Sequence, residues 1–296
     1  MKRENMIKVI GVSILAVIGI IVPAYAVSTI SGTVTSGGTG LNNAKVTAEQ
    51  IGGFLVAPEY VWTRTSTTGS YSLTVNDAGT VYQVAAMLTG KQYNKIDRTP
   101  PTSTANYALT SILLKDAIIW VVADDGFQAD HPSWQIDAKN IAYAFADGWF
   151  REEHSINMKD SGATYGTYAS PNSAPDCTTW AQNARTALDW SSTNNRGAKI
   201  AIVVAGKDVT FTNGDLGCIN PAIPSSSGTY PLIVVKDGYG DPAKLSMHEI
   251  GHAYSLTHST ASWKHVMWAS VNNVDAIKNW RPADDSTIEL NRSWYQ

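Results

Sequence analysis

Three of the chain's six histidines fall within eleven residues, His248-Glu249-Ile250-Gly251-His252-Ala253-Tyr254-Ser255-Leu256-Thr257-His258, and no other stretch restricts the fold so tightly. Just ahead of it, Asp241 is a good helix N-cap and Pro242 suits the first helical position, so a helix should begin there and run through His252. On that helix His248 and His252 stand about 40° apart around the axis and about 6 Å apart along it, so both imidazoles reach one ion. Glu249 projects near the same face, too far round to be a ligand but suited to act as general base for a water activated by the ion. A catalytic zinc takes three protein ligands and keeps a fourth position open, so a chain that leaves the helix after His252 and folds back brings in His258 as the third nitrogen. The expected site is one Zn2+ on His248, His252 and His258, with Glu249 as the catalytic residue. His265, Asp275 and Glu289 are the rival third ligands.

The rest of the chain divides in two. From Ser28 to about Leu114, short runs of alternating or β-branched character (29–35, 44–49, 60–65, 70–75 and 81–88) are separated by clusters of Gly, Asn, Asp and Ser, which reads as a small antiparallel sandwich. After Lys115 the apolar runs 117–122, 199–205 and 232–235 alternate with helical periodicity over 136–149 and 180–190, which favours an α/β layer. A Gly-, Asn-, Pro- and Ser-rich stretch over 207–229 reads as a surface loop. The fold class expected is an N-terminal all-β sandwich (27–115) followed by a C-terminal α/β (α+β) domain (116–296) with a mixed twisted sheet and an active-site helix.

The start of the chain reads as an address. Lys2, Arg3 and Lys8 precede an apolar run over 9–22, then Pro23 and Ala24-Tyr25-Ala26, the pattern of a signal peptide spanning 1–26. That run is short of the roughly 20 residues a membrane span needs, so export to a secreted, extracellular form is expected, with no stable membrane insertion after cleavage. In an oxidising compartment the only two cysteines, Cys177 and Cys218, are expected to form a disulfide. With 22 Lys plus Arg against 25 Asp plus Glu, the net charge of -3 leaves no electrostatic footprint for nucleic acid.

Two resemblances add to this reading. The zinc segment resembles the metzincin clan of metallopeptidases, which has two His and a Glu on a helix, a turn, a third His and a Met-containing turn downstream; Met267 in Val266-Met267-Trp268 matches that last feature. The resemblance implies a zinc-dependent endopeptidase acting on protein or peptide substrates. It implies that Leu232, Ile233 and Val234 lie in an edge strand that pairs with the substrate, and that Trp268, Ala269 and Ser270 wall a side-chain pocket. One position departs from the clan: Ser255 stands where a glycine normally allows the turn's positive φ, at a cost on the order of 1 kcal/mol. In the N-terminal half, Gly32-x-Val34, Gly40-Leu41 with Ala44-x-Val46, and Thr67-x-Gly69-x-Tyr71-x-Leu73 resemble the carboxypeptidase regulatory-like domain, a transthyretin-like sandwich, which implies an accessory or spacer role. Tyr60, Trp62, Tyr71, Tyr82 and Tyr93 are its candidate residues for a cell-surface or glycan contact. Asp124, Asp125 and Asp130, and Asp237 with Asp241, are candidate Ca2+ ligands, though solvated loop acids are the plainer reading. His131, His154 and His265 read as surface or hydrogen-bonded histidines. A reading from another class is a non-catalytic surface or adhesion protein that keeps zinc for structure, against which an intact Glu249 argues.

Overall fold

In the computed structural model the described residues are 27–51, 59–76, 79–162, 165–188, 197–220, 230–238, 240–258, 266–267 and 282–295. The expected signal peptide and the pocket wall Trp268, Ala269 and Ser270 lie outside them, as do His265 and Asp275. Among the described residues no helix is long and apolar enough to cross a membrane.

Residues 28–109 form two sheets packed face to face. One is built around Ser28–Ser36, antiparallel to Ser70–Val75 and to the short Thr39–Gly40, and parallel to Thr102–Thr104 and Tyr107–Ala108. The other has the order Tyr60–Arg64, Lys45–Gln50, Tyr82–Met87, Asn94–Arg98, antiparallel throughout. Strict alternation sets the inward face: in Ser70–Val75, Tyr71, Leu73 and Val75 are buried and the residues between them exposed. They meet Ile30, Val34, Val46, Ala48, Tyr82 and Val84. Two buried phenols find carbonyl partners, Tyr71 on Ala105 and Tyr107 on Val84, both at 2.6 Å. Gly32 is required where 105 passes: a Cβ there would lie 2.0 Å from the Ala105 carbonyl oxygen.

The second half is a mixed α/β layer. Its sheet has the order Ile156–Asp160, Lys115–Asp124, Ile200–Ala205, Leu232–Lys236, Gly217–Asn220; the first four are parallel and the last is antiparallel to its neighbour. Parallel strands covered on both faces need apolar residues throughout, which is why 200–205 and 232–235 read as unbroken apolar runs; Ile200–Ala205 and Leu232–Lys236 are buried at every position. One face carries Trp134–Lys139, a π-helical turn Asn140–Ala144, the helix Phe145–His154 and the helix Pro242–Ala253; Cys177–Ala187 covers the other.

Here one expectation fails. Leu232, Ile233 and Val234 are not in an edge strand: Leu232–Lys236 is hydrogen-bonded to Ile200–Ala205 on one side and to Gly217–Asn220 on the other, and all three side chains are fully buried. Among the described residues the edge is Gly217–Asn220, inside the stretch read as a loop. Its four residues are only half buried and carry no apolar run, so pairing and the Cys177–Cys218 disulfide to the helix beneath hold it in place.

The two halves meet along the helix Phe145–His154 and the C-terminal helix Pro282–Asn291. Lys45 pairs with Glu153 and Arg64 with Glu152; Tyr93 donates to Asp285 at 3.1 Å and Lys95 to Ser286 at 2.7 Å. The backbone N–H of Gly90 donates to the hydroxyl of the left-handed Ser155 at 2.9 Å. Of the two readings of His154, surface or hydrogen-bonded, the second holds: it is fully buried at this junction, its Nδ1 2.9 Å from Glu289 and its Nε2 3.3 Å from Asp285.

Candidate metal centre

The helix Pro242–Ala253 starts as its sequence asks. The Asp241 carboxylate accepts from the backbone N–H groups of Ala243 and Lys244 at 3.1 and 3.3 Å, and Pro242 occupies the first turn. Leu245, Met247, Ile250 and Ala253 face the core, and the Ser246 hydroxyl donates to the carbonyl of Ala142 in the π-helical turn. This bond ties the site helix to the π-helical turn.

The far end is a Schellman turn. The Leu256 N–H donates to the Gly251 carbonyl at 3.1 Å and the Ser255 N–H to that of His252 at 2.9 Å, with Ser255 at φ 67°. The conformation that favours glycine is therefore adopted by a serine, and the departure noted in the sequence leaves the turn intact. The next helical carbonyls are capped from the C-terminal segment: Asn291 donates to Tyr254 O at 2.9 Å, and the Tyr295 hydroxyl donates to Ala253 O.

The turn reverses the chain and sets His258 against the helix. Its Nε2 lies 3.1 Å from Nε2 of His252 and 3.3 Å from Nε2 of His248, and the ligand atoms of the three lie within 4.8 Å of one another. Each helical imidazole is oriented from behind: Nδ1 of His248 is 2.6 Å from the Val266 carbonyl and Nδ1 of His252 is 2.7 Å from the Leu256 carbonyl. A carbonyl only accepts, so both protons sit on Nδ1 and both Nε2 atoms turn lone pairs toward the same point. The Nε2 of His258 faces both of them, as an N–H donor or, with its proton on Nδ1, as the third nitrogen ligand of a shared cation. Three nitrogens at about 2.05 Å from a tetrahedral zinc are about 3.3 Å apart, close to the 3.1 and 3.3 Å that separate Nε2 of His258 from the other two. The donor set thus fits Zn2+.

The electrostatics agree. Burial pushes His248 down to about 4 and lowers His252 as well, so both rings are neutral near pH 7, the form that ligates. Glu249 is buried beside His248, and burial, aided by the Asp215 charge, lifts its carboxyl to about 8. The edge strand runs directly past it, since a Cβ built on Gly217 would come 3.1 Å from Glu249 Oε1. Met267 and Val266 are fully buried.

Of the other candidates, Glu289 is held by His154. Asp124 caps the short helix after its strand, accepting from Phe127 N at 2.7 Å and Gly206 N at 2.9 Å, and Asp237 bonds His131. Among the described residues, none of the calcium candidates belongs to a converging group of three metal-binding side chains. Asp215 and Gly217 were missed; the one sequence signal for them was their nearness to Cys218.

No family model matches the chain, and no curated protein matches it. Among solved structures it is similar to metalloproteinase-II from Bacteroides fragilis, at 12% identity over 80% of this chain and 83% of that one, with a TM-score of 0.39. A DUF3823 family protein from Parabacteroides merdae aligns at 17% identity over 29% of this chain, with a TM-score of 0.22, and this chain spans 45% of that protein's length. A 9R-lipoxygenase from Cyanothece aligns at 10% identity over 31% of this chain and 17% of that one, with a TM-score of 0.19.

Proposed function

We propose that the protein is a secreted zinc-dependent endopeptidase of metzincin type, with a catalytic domain over 116–296, an accessory sandwich over 27–115 and a cleaved leader over 1–26. The observation that carries the reading is the pair of carbonyl-oriented histidines, His248 and His252, whose Nε2 atoms meet that of His258 beside a buried carboxyl group.

When bound, zinc supplies Lewis acidity, bringing the pKa of a water toward about 7 and polarising the carbonyl to be attacked. Glu249, in its carboxylate form, accepts the proton of the attacking water and, as the acid that results, returns it to the leaving amine. The outer edge of Gly217–Asn220, which pairs with no other described strand, offers backbone groups to an extended peptide running past Glu249. Met267, fully buried in the same core cluster as Met247 and Ile250 of the site helix, would serve as the Met-turn.

The test compares Glu249→Gln with His258→Ala by zinc stoichiometry and by cleavage of a peptide library with and without chelator. The first should keep about one zinc and lose cleavage by about a hundredfold or more, the effect of removing a positioned acid–base group; the second should lose the metal. A wild type that binds zinc and cleaves nothing would instead favour the non-catalytic reading.

A further inference from the structure

A second site lies where the two halves face each other, away from the histidines. The strand Tyr60–Arg64 turns Val61 toward the sandwich core, so by the period of two Tyr60, Trp62 and Arg64 stand on the outer face. Opposite them the helix Phe145–His154 presents Phe145, Gly148, Trp149 and Glu152, spaced as one helical face. The groove between has a volume of about 720 Å³, within the range of small-molecule sites. Trp62 is 56% exposed, an uncommon state for so large an aromatic side chain.

Two features say what the groove takes. First, its charges cancel: Arg64 pairs with Glu152, and Lys45, which lies over the Trp149 ring at 4.6 Å, pairs with Glu153. A charged ligand would find no net countercharge, whereas a hydroxyl-rich neutral one would find donors and acceptors beside aromatic faces. Second, Gly148 stands inside a helix, where glycine is the poorest former after proline, yet a Cβ there would meet nothing within 4 Å. Alanine would fit and strengthen the helix, so packing does not explain the glycine; open space in the groove does.

We infer that this groove is a binding site for a neutral oligosaccharide, whose rings stack on Trp62 and Trp149 while its hydroxyls bond the Arg64–Glu152 pair. It is independent of the zinc reading, because binding is measured without catalysis. The helix that forms one wall also packs Phe150 against Tyr254 at the end of the metal-binding helix, at 5.3 Å between ring centroids, so a glycan held here lies one helix away from the zinc site.

The test titrates the full-length chain with neutral hexasaccharides (cellohexaose, chitohexaose, mannohexaose and maltohexaose), read by tryptophan fluorescence and calorimetry. At least one should bind with Kd of about 1 mM or tighter, the scale of a few stacking contacts. Trp62→Ala should weaken it by about tenfold or more, equivalent to about 1.4 kcal/mol. Gly148→Leu, which fills the groove with a good helix former, should abolish binding while the Tm stays at or above that of the wild type. The inference is overturned if no member of the panel binds, if binding survives in both variants, or if a sulfated hexasaccharide or an unglycosylated peptide occupies the groove more tightly.

Discussion

His154 offers the most demanding test of how the two halves hold together. Burial alone would lower its pKa, but the close contacts with the Asp285 and Glu289 carboxylates, and their charges, outweigh that and lift it to about 9. A basic group whose pKa rises on folding adds stability that is fully present below its unfolded value and lost as pH climbs through the folded one, here between about 6.5 and about 9. A shift of that size corresponds to on the order of 3 kcal/mol, with no discount for solvent because the ring is fully buried. His154→Gln keeps much of the volume and removes the titration. In urea unfolding of the metal-free chain, the wild type should exceed the variant by about 3 kcal/mol more at pH 6 than at pH 10, a gap on the order of 10 °C in Tm. Glu249, raised to about 8, also makes stability fall with pH, but it is common to both chains and cancels in the difference. A gap that stays constant from pH 6 to pH 10 would show that His154 is not held as a cation between the two acids.

Ser255→Gly should raise stability by up to about 1 kcal/mol, since it relieves a left-handed residue while adding some unfolded-state entropy, and a Tm that falls would refute the strain argument. Replacing both Cys177 and Cys218 with Ser opens a loop with a separation of 41 residues and should cost about 4 kcal/mol in denaturant unfolding. The same double variant should lose peptide cleavage before it loses zinc, because the disulfide tethers the edge strand rather than the histidines; simultaneous loss of both would contradict that placement.

Local chemistry was legible wherever it sufficed. The Asp241 cap, the Pro242 start, the four-residue spacing of His248 and His252, and the alternation in Ser70–Val75 each depend on backbone periodicity and on side chains a few residues apart. The partners of His154 were not legible, because Asp285 and Glu289 lie 131 and 135 residues further along the chain and meet it only when the C-terminal helix docks. The edge strand was hidden for a related reason: Gly217–Asn220 has neither an apolar run nor clean alternation, and its order comes from its neighbour and a disulfide.

The sequence by itself therefore determined which residues can ligate a metal and which carboxyl group stands beside them, since a helix fixes both from spacing alone. Only the tertiary structure decided that His258 returns to them, through a left-handed serine and two backbone carbonyls. Tertiary structure alone also decided which strand lies at the edge and which aromatic residues face one another across the junction. These depend on contacts between segments far apart in the chain, and no local pattern of residues specifies such contacts.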